Sequence, residues 1–117
     1  MLYYLNRKNF RIQLILGSSV ETIGISAFYN YQGTDQDGVK KELIIPDNVQ
    51  TIGEYAFWSF NGSDLTLGSS INSIGDYAFS SYVGQNININ KTEEAFSIVS
   101  KGDHWRYLGA NLVYLLP

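Results

Sequence analysis

The chain has 117 residues, a formal net charge of −3, no cysteine, 44% hydrophobic and 15% aromatic content. That is enough apolar material for one modest core, and it argues against disorder, a disulfide framework or a thiolate metal site. The acidic balance argues against nucleic-acid binding, and no apolar run approaches the ~20 residues that a bilayer-spanning helix needs.

In chain order, residues 1–13 fit no pattern that recurs later and show no recognisable opening cap. Met1-Leu2-Tyr3-Tyr4-Leu5-Asn6-Arg7-Lys8 lacks the basic-then-apolar order of a signal peptide. The expectation is a cytoplasmic chain or, favoured by the absent cap, a piece of a longer exported one. A bare first edge predicts self-association through the N-terminal end.

From Leu14 a template begins. Leu14, Leu16, Val20, Ile23, Gly24, Ala27 and Phe28 return as Leu43, Ile45, Val49, Ile52, Gly53, Ala56 and Phe57, then as Leu65, Leu67, Ile71, Ile74, Gly75, Ala78 and Phe79. An aromatic follows each Phe by three residues (Tyr31, Phe60, Tyr82), and a glycine stands two further on (Gly33, Gly62, Gly84). The units are 14–42, 43–64 and 65–86; the first carries seven extra residues between Gly33 and Leu43, read as a loop. Ile87 and Ile89 start a fourth unit 22 residues after Leu65 and Leu67, and 87–117 then departs from the template as a partial repeat and cap.

The apolar-x-apolar pairs alternate with period two and predict short strands, each ended by Gly17, Pro46 or Gly68. The Val-x-x-Ile-Gly-x-x-Ala-Phe segments have spacings of three and four, which predict a turn of helix or 3₁₀ helix. Glu54 and Asp76 stand where such a turn would open and are expected to complement its exposed amides. One such unit cannot bury its own apolar face, whereas stacked neighbours can.

Lys41 to Phe57, KELIIPDNVQTIGEYAF, resembles almost verbatim the BspA-type leucine-rich repeat, and the likeness covers 14–89. The resemblance implies a single leucine-rich-repeat domain over 1–117. It would be a right-handed solenoid of short parallel strands and short helical or 3₁₀ turns, used for binding at bacterial or parasite surfaces or in secretions. The family's usual Cys is replaced by Tyr31, Phe60 and Tyr82, which should fill the same interior column. Trp105 and Asn111-Leu112-Val113-Tyr114 resemble, more loosely, the strand that closes such stacks.

The candidate sites follow from strand geometry. Residues between buried neighbours face outward, and stacking sets them in columns: Ile15, Ile44, Thr66 and Asn88, beside Gln13, Glu42, Asp64 and Asn86. Two isolated exposed aliphatics are also ordinary on any sheet. Trp58 replaces Tyr29 and Ser80 of the other units and is either an exposed anchor or packed over Tyr29. Residues 42–90 hold five acids and neither Lys nor Arg, an acidic belt suited to a basic partner or simply to solvation. Asp103-His104 lacks a nucleophile, and Asp35-Gln36-Asp37-Gly38 lacks the late Glu of a calcium loop, Glu42 being too early. No catalytic residue, cofactor or metal is assigned. The reading is a non-enzymatic protein-interaction module, adhesin-like or a fragment of an adhesin; the alternative is a structural spacer within a longer repeat protein.

Overall fold

The structure is a computed structural model that describes residues 4–6 and 11–117, with side chains from Leu14 onward. The N-terminal edge expected to self-associate therefore lies largely outside the described residues. β1 (Tyr4–Asn6) and β2 (Arg11–Gln13) pair antiparallel, with Leu5 opposite Ile12. The chain then winds as a parallel β-solenoid of about four turns. One sheet contains β4 (Leu43–Ile44), β6 (Leu65–Leu67), β8 (Asn86–Ile89) and β10 (Asn111–Tyr114), in the order β10-β8-β6-β4. The second contains β3 (Thr22–Ile23), β5 (Thr51–Ile52), β7 (Ser73–Ile74) and β9 (Ser100–Lys101), in the order β3-β5-β7-β9.

Like residues stack on like. Leu43 pairs with Leu65, Leu65 with Ile87 and Ile87 with Leu112, while Ile23, Ile52 and Ile74 align in the second sheet. Between the walls Phe28, Phe57 and Phe79 form a ring column with centroids 5.2 and 5.4 Å apart. Tyr31, Phe60 and Tyr82 form another at 6.0 and 5.6 Å, so the aromatics do occupy an interior column. Offset stacking of such near-parallel rings adds about 0.5–1.5 kcal/mol per pair to the burial term.

The structure corrects the sequence reading in three places. The Ile of each Val-x-x-Ile-Gly lies in a strand of the second sheet. The turn after it is a chain of i→i+3 bonds, such as Ala56 N–H to Gly53 and Trp58 N–H to Tyr55. A continuous helix is blocked because Ser26, Tyr55, Tyr77 and His104 have φ of 54–58°, the left-handed region. These turns are held across the stack instead: Phe28 N–H donates to Ala56, Phe57 N–H to Ala78 and Phe79 N–H to Trp105.

Second, Leu14 to Leu16 are not a strand of the sheet, which begins at β4. Leu14 and Leu16 are buried, yet the Leu14 N–H donates to the Tyr31 hydroxyl at 3.4 Å and not to a neighbouring strand. Burial raises the Tyr31 pKa above its ordinary value, against the lowering effect of that amide.

Third, the fourth turn is complete in form. α1 (Glu93–Ser97) is capped by Thr92, whose hydroxyl accepts from the Ala95 N–H at 3.0 Å, and it buries Phe96. The turn ends with Gly102, left-handed His104 and Trp105, and β10 then pairs parallel with β8.

Carboxylates clip successive turns together. The Asp76 carboxylate accepts from the Asp103 N–H of the next turn at 2.7 Å, whereas the sequence reading had it serving its own turn. Asp47 accepts from the Ser69 N–H at 2.9 Å and from the Asn90 side-chain amide at 3.1 Å, linking three turns. The Ser69 amide and then Asn90 hold its pKa below the ordinary carboxylate value, outweighing burial. A depressed folded pKa gives stability that is present above the unfolded pKa of ~3.9 and lost as pH falls through the folded value. Asp47→Asn should accordingly flatten the acid limb of the stability profile. Urea midpoints measured from neutral pH down through the carboxylate range check this, and parallel profiles would refute it.

Candidate functional site

The outward face of the β10-β8-β6-β4 sheet collects most of the residues singled out by sequence. Ile44, Thr66 and Asn88 stand opposite one another on β4, β6 and β8. Adjacent strands lie ~4.8 Å apart, so the three form one continuous column. Asp64 and Asn86 directly precede Leu65 and Ile87, and with exposed Glu42 they run beside it. Ile44 is 52% exposed, while Thr66 and Asn88 are half-buried by their neighbours.

β10 extends both columns, which the sequence reading did not draw. Val113 pairs with Asn88 and Asn111 with Asn86, where the two side-chain amides lie 3.5 Å apart. The available signal was the Asn111-Leu112 pair, which matches Asn86-Ile87, whereas Val113 breaks the polar-apolar alternation that Asn88 keeps.

Ile15 is 50% exposed but stands outside the sheet. It shares with Ile44 an open cleft of about 220 Å³, lined also by Leu14, Leu16, Glu42 and Pro46. Ile15 and Ile44, expected in one column of strand residues, thus line a notch at the β4 end of the sheet. Gln13 belongs to β2, and its side chain lies outside the described residues.

Trp58 is not on this face. It is half-buried on the turn wall, stacked on Tyr29 with centroids 6.2 Å apart and set edge-on to Tyr77 at 5.8 Å. Tyr55 stacks on Tyr77 at 5.2 Å and Tyr77 on His104 at 5.1 Å, completing an aromatic ladder that sequence reasoning missed. Its signal was the recurrence of a ring two residues after Gly53, Gly75 and Gly102. Within the ladder Tyr55 and Tyr77 stack on rings of neighbouring turns, so it ties the left-handed turns together.

The remaining motifs are occupied locally. The buried Asp35 carboxylate accepts from the N–H groups of Asp37 and Val39, both at 2.9 Å, with the Lys41 ammonium 3.6 Å away. Burial raises its pKa, but those amides and Lys41 outweigh it and bring the group below the ordinary carboxylate value. Asp35 therefore shapes the loop it sits in. Among the described residues no three His, Asp or Glu side chains gather as a metal site, and no helix is long and apolar enough to cross a membrane.

What the arrangement offers chemically is a flat, in-register strand face with aliphatic, hydroxyl and amide groups in one column and carboxylates beside it at the β4 end. A family model described as the BspA type leucine rich repeat region matches residues 3–100 in 6 copies. Neither a curated protein nor a solved structure matches the chain.

Proposed function

The chain belongs to the BspA-type leucine-rich repeat family, and from that premise we propose that it is a non-enzymatic protein-interaction module of adhesin-like kind, acting at a cell surface or in secretion. Its binding face is the outer side of the β10-β8-β6-β4 sheet. The observation that carries this reading is the in-register column Ile44, Thr66, Asn88 and Val113, ending at the Ile15–Ile44 notch. Rigid strands present these groups without the ordering cost that a loop would incur on binding. The aliphatic pair supplies desolvation, while Glu42 and Asp64 favour a partner that carries Lys or Arg there.

The test is the affinity of immobilised wild type and of the Ile15→Asp/Ile44→Asp variant for purified host-matrix proteins. Charges placed in a desolvated notch should weaken binding at least thirtyfold, the equivalent of about 2 kcal/mol at an interface hot spot. Unchanged binding by a variant that keeps its circular dichroism moves the site off this face. If wild type binds none of them, the spacer reading takes its place.

A further inference from the structure

β10 is the last strand of its sheet, and among the described residues no strand lies on its other side. Four residues pair with β8 in unbroken register. The Asn111 N–H donates to Gln85 and the Leu115 N–H to Ile89, both at 2.8 Å, so strand alternation turns the amides of Leu112 and Tyr114 away from β8. Asn111-Leu112-Val113-Tyr114-Leu115-Leu116 contains no charge, proline or glycine. Edge strands are ordinarily blunted by lysine, proline, a bulge or a cover, and among the described residues β10 has none of these. Leu115 and Leu116 beside it are 51% and 46% exposed, and Leu108 is 83% exposed. The opposite edge differs, because β4 has the Leu14–Leu16 segment across its notch.

We propose that β10 is a self-pairing edge. Two copies of the chain join antiparallel through β10 about a two-fold axis at Val113, extending the four-stranded sheet to eight strands.

The register follows from parity. In an antiparallel pair, directly opposite residues point to the same side of the sheet, and residues whose amides face the partner exchange both hydrogen bonds. Leu112 and Tyr114 share the core-facing side, and both have outward amides. Placing Leu112 opposite the Tyr114 of the second copy satisfies both conditions and brings Val113 against its own symmetry mate. The contact is isologous and closed, so it stops at a dimer. An uncharged strand meets no like-charge repulsion when it faces itself. The two-fold axis, normal to the sheet, puts the outer columns of both copies on one side and doubles that face.

The experiment uses the full chain, which has no native cysteine. Wild type should scatter light as a dimer at tens of micromolar, and Val113→Lys, which sets two ammonium groups on the axis, should return it to a monomer. Val113→Cys should form an interchain disulfide under mild oxidation, because non-hydrogen-bonded antiparallel partners lie within disulfide reach, with Cα atoms ~4.5 Å apart. Ile98→Cys, at a site 86% exposed, reports cross-linking by collision alone and should lag at least tenfold. A monomeric wild type overturns the proposal. So does a dimer that survives Val113→Lys, which places association at another end, or an Ile98→Cys that cross-links as fast as Val113→Cys.

Discussion

Gly75→Ala should destabilise the solenoid by about 3 kcal/mol or more, whereas Gly24→Ala should leave it within about 0.5 kcal/mol of wild type. Both glycines occupy the same place in the repeated phrase, so a local account predicts equal effects. The stack distinguishes them. A methyl group on Gly75 would lie 2.6 Å from the Gly53 carbonyl carbon and closer still to the Glu54 nitrogen. Those atoms are backbone of the preceding turn and cannot rotate aside, so the turns must part and stretch the Gly75 N–H bond to the Ile52 carbonyl, now 2.8 Å. Gly24 lies in the first turn, and a methyl there meets nothing within 4 Å. Chemical denaturation reads both variants; at a urea slope typical of a small protein, the Gly75 midpoint should fall by roughly 2 M. Equal midpoints would show that close approach of the turns is not what these glycines provide.

The second large effect concerns the ring column. Phe57 is fully buried and has a ring against each of its faces, Phe28 and Phe79, whereas Phe28 is only half-buried and stacks on one side. Phe57→Ala removes a large side chain from a place the walls cannot refill, because both sheets are tied to other turns. The expected loss is about 3–5 kcal/mol, against roughly half of that for Phe28→Ala. For a domain of this size that is a fall in Tm of roughly 12–20 °C for the central ring. In a stack whose turns contact only their neighbours, a gap in the middle also uncouples the two ends. Thermal unfolding followed by circular dichroism checks both variants. Equal losses would mean that the column does not act as a continuous stack.

The interior columns were legible because burial recurs with the template. Leu43, Leu65 and Ile87, or Phe57 and Phe79, each hold one place in the repeat and meet one another in space. The outward column was legible from Ile44 through Thr66 to Asn88 for the same reason, since a residue between two buried ones must face out, but Ile15, expected at its head, stands outside the sheet. Trp58 was legible in part: of the two readings, exposed anchor or packing over Tyr29, the structure has the second, and the rings of Tyr55 and Tyr77 join it there. The fourth turn was hidden by substitution, with Lys101 standing where Ile23, Ile52 and Ile74 stand and Trp105 where Ala27, Ala56 and Ala78 do.

By itself, then, the amino-acid order determined the repeat, the family and which positions of the unit turn inward, because inward placement follows residue type and spacing, while the end of the stack leaves Phe28 half-buried and Ala27 exposed. Hydrogen-bond partners were decided only by the tertiary structure. The Ile52 segment reads locally as helical, yet it is a strand because its backbone partners come from the turns before and after it. The Leu14–Leu16 segment reads as a strand, yet its first amide is taken by the Tyr31 hydroxyl, 17 residues away. Spacing along the chain carries no record of which distant carbonyl an amide will meet. That depends on stacking register, and register also decides that the sheet ends at β4 on one side and at β10 on the other.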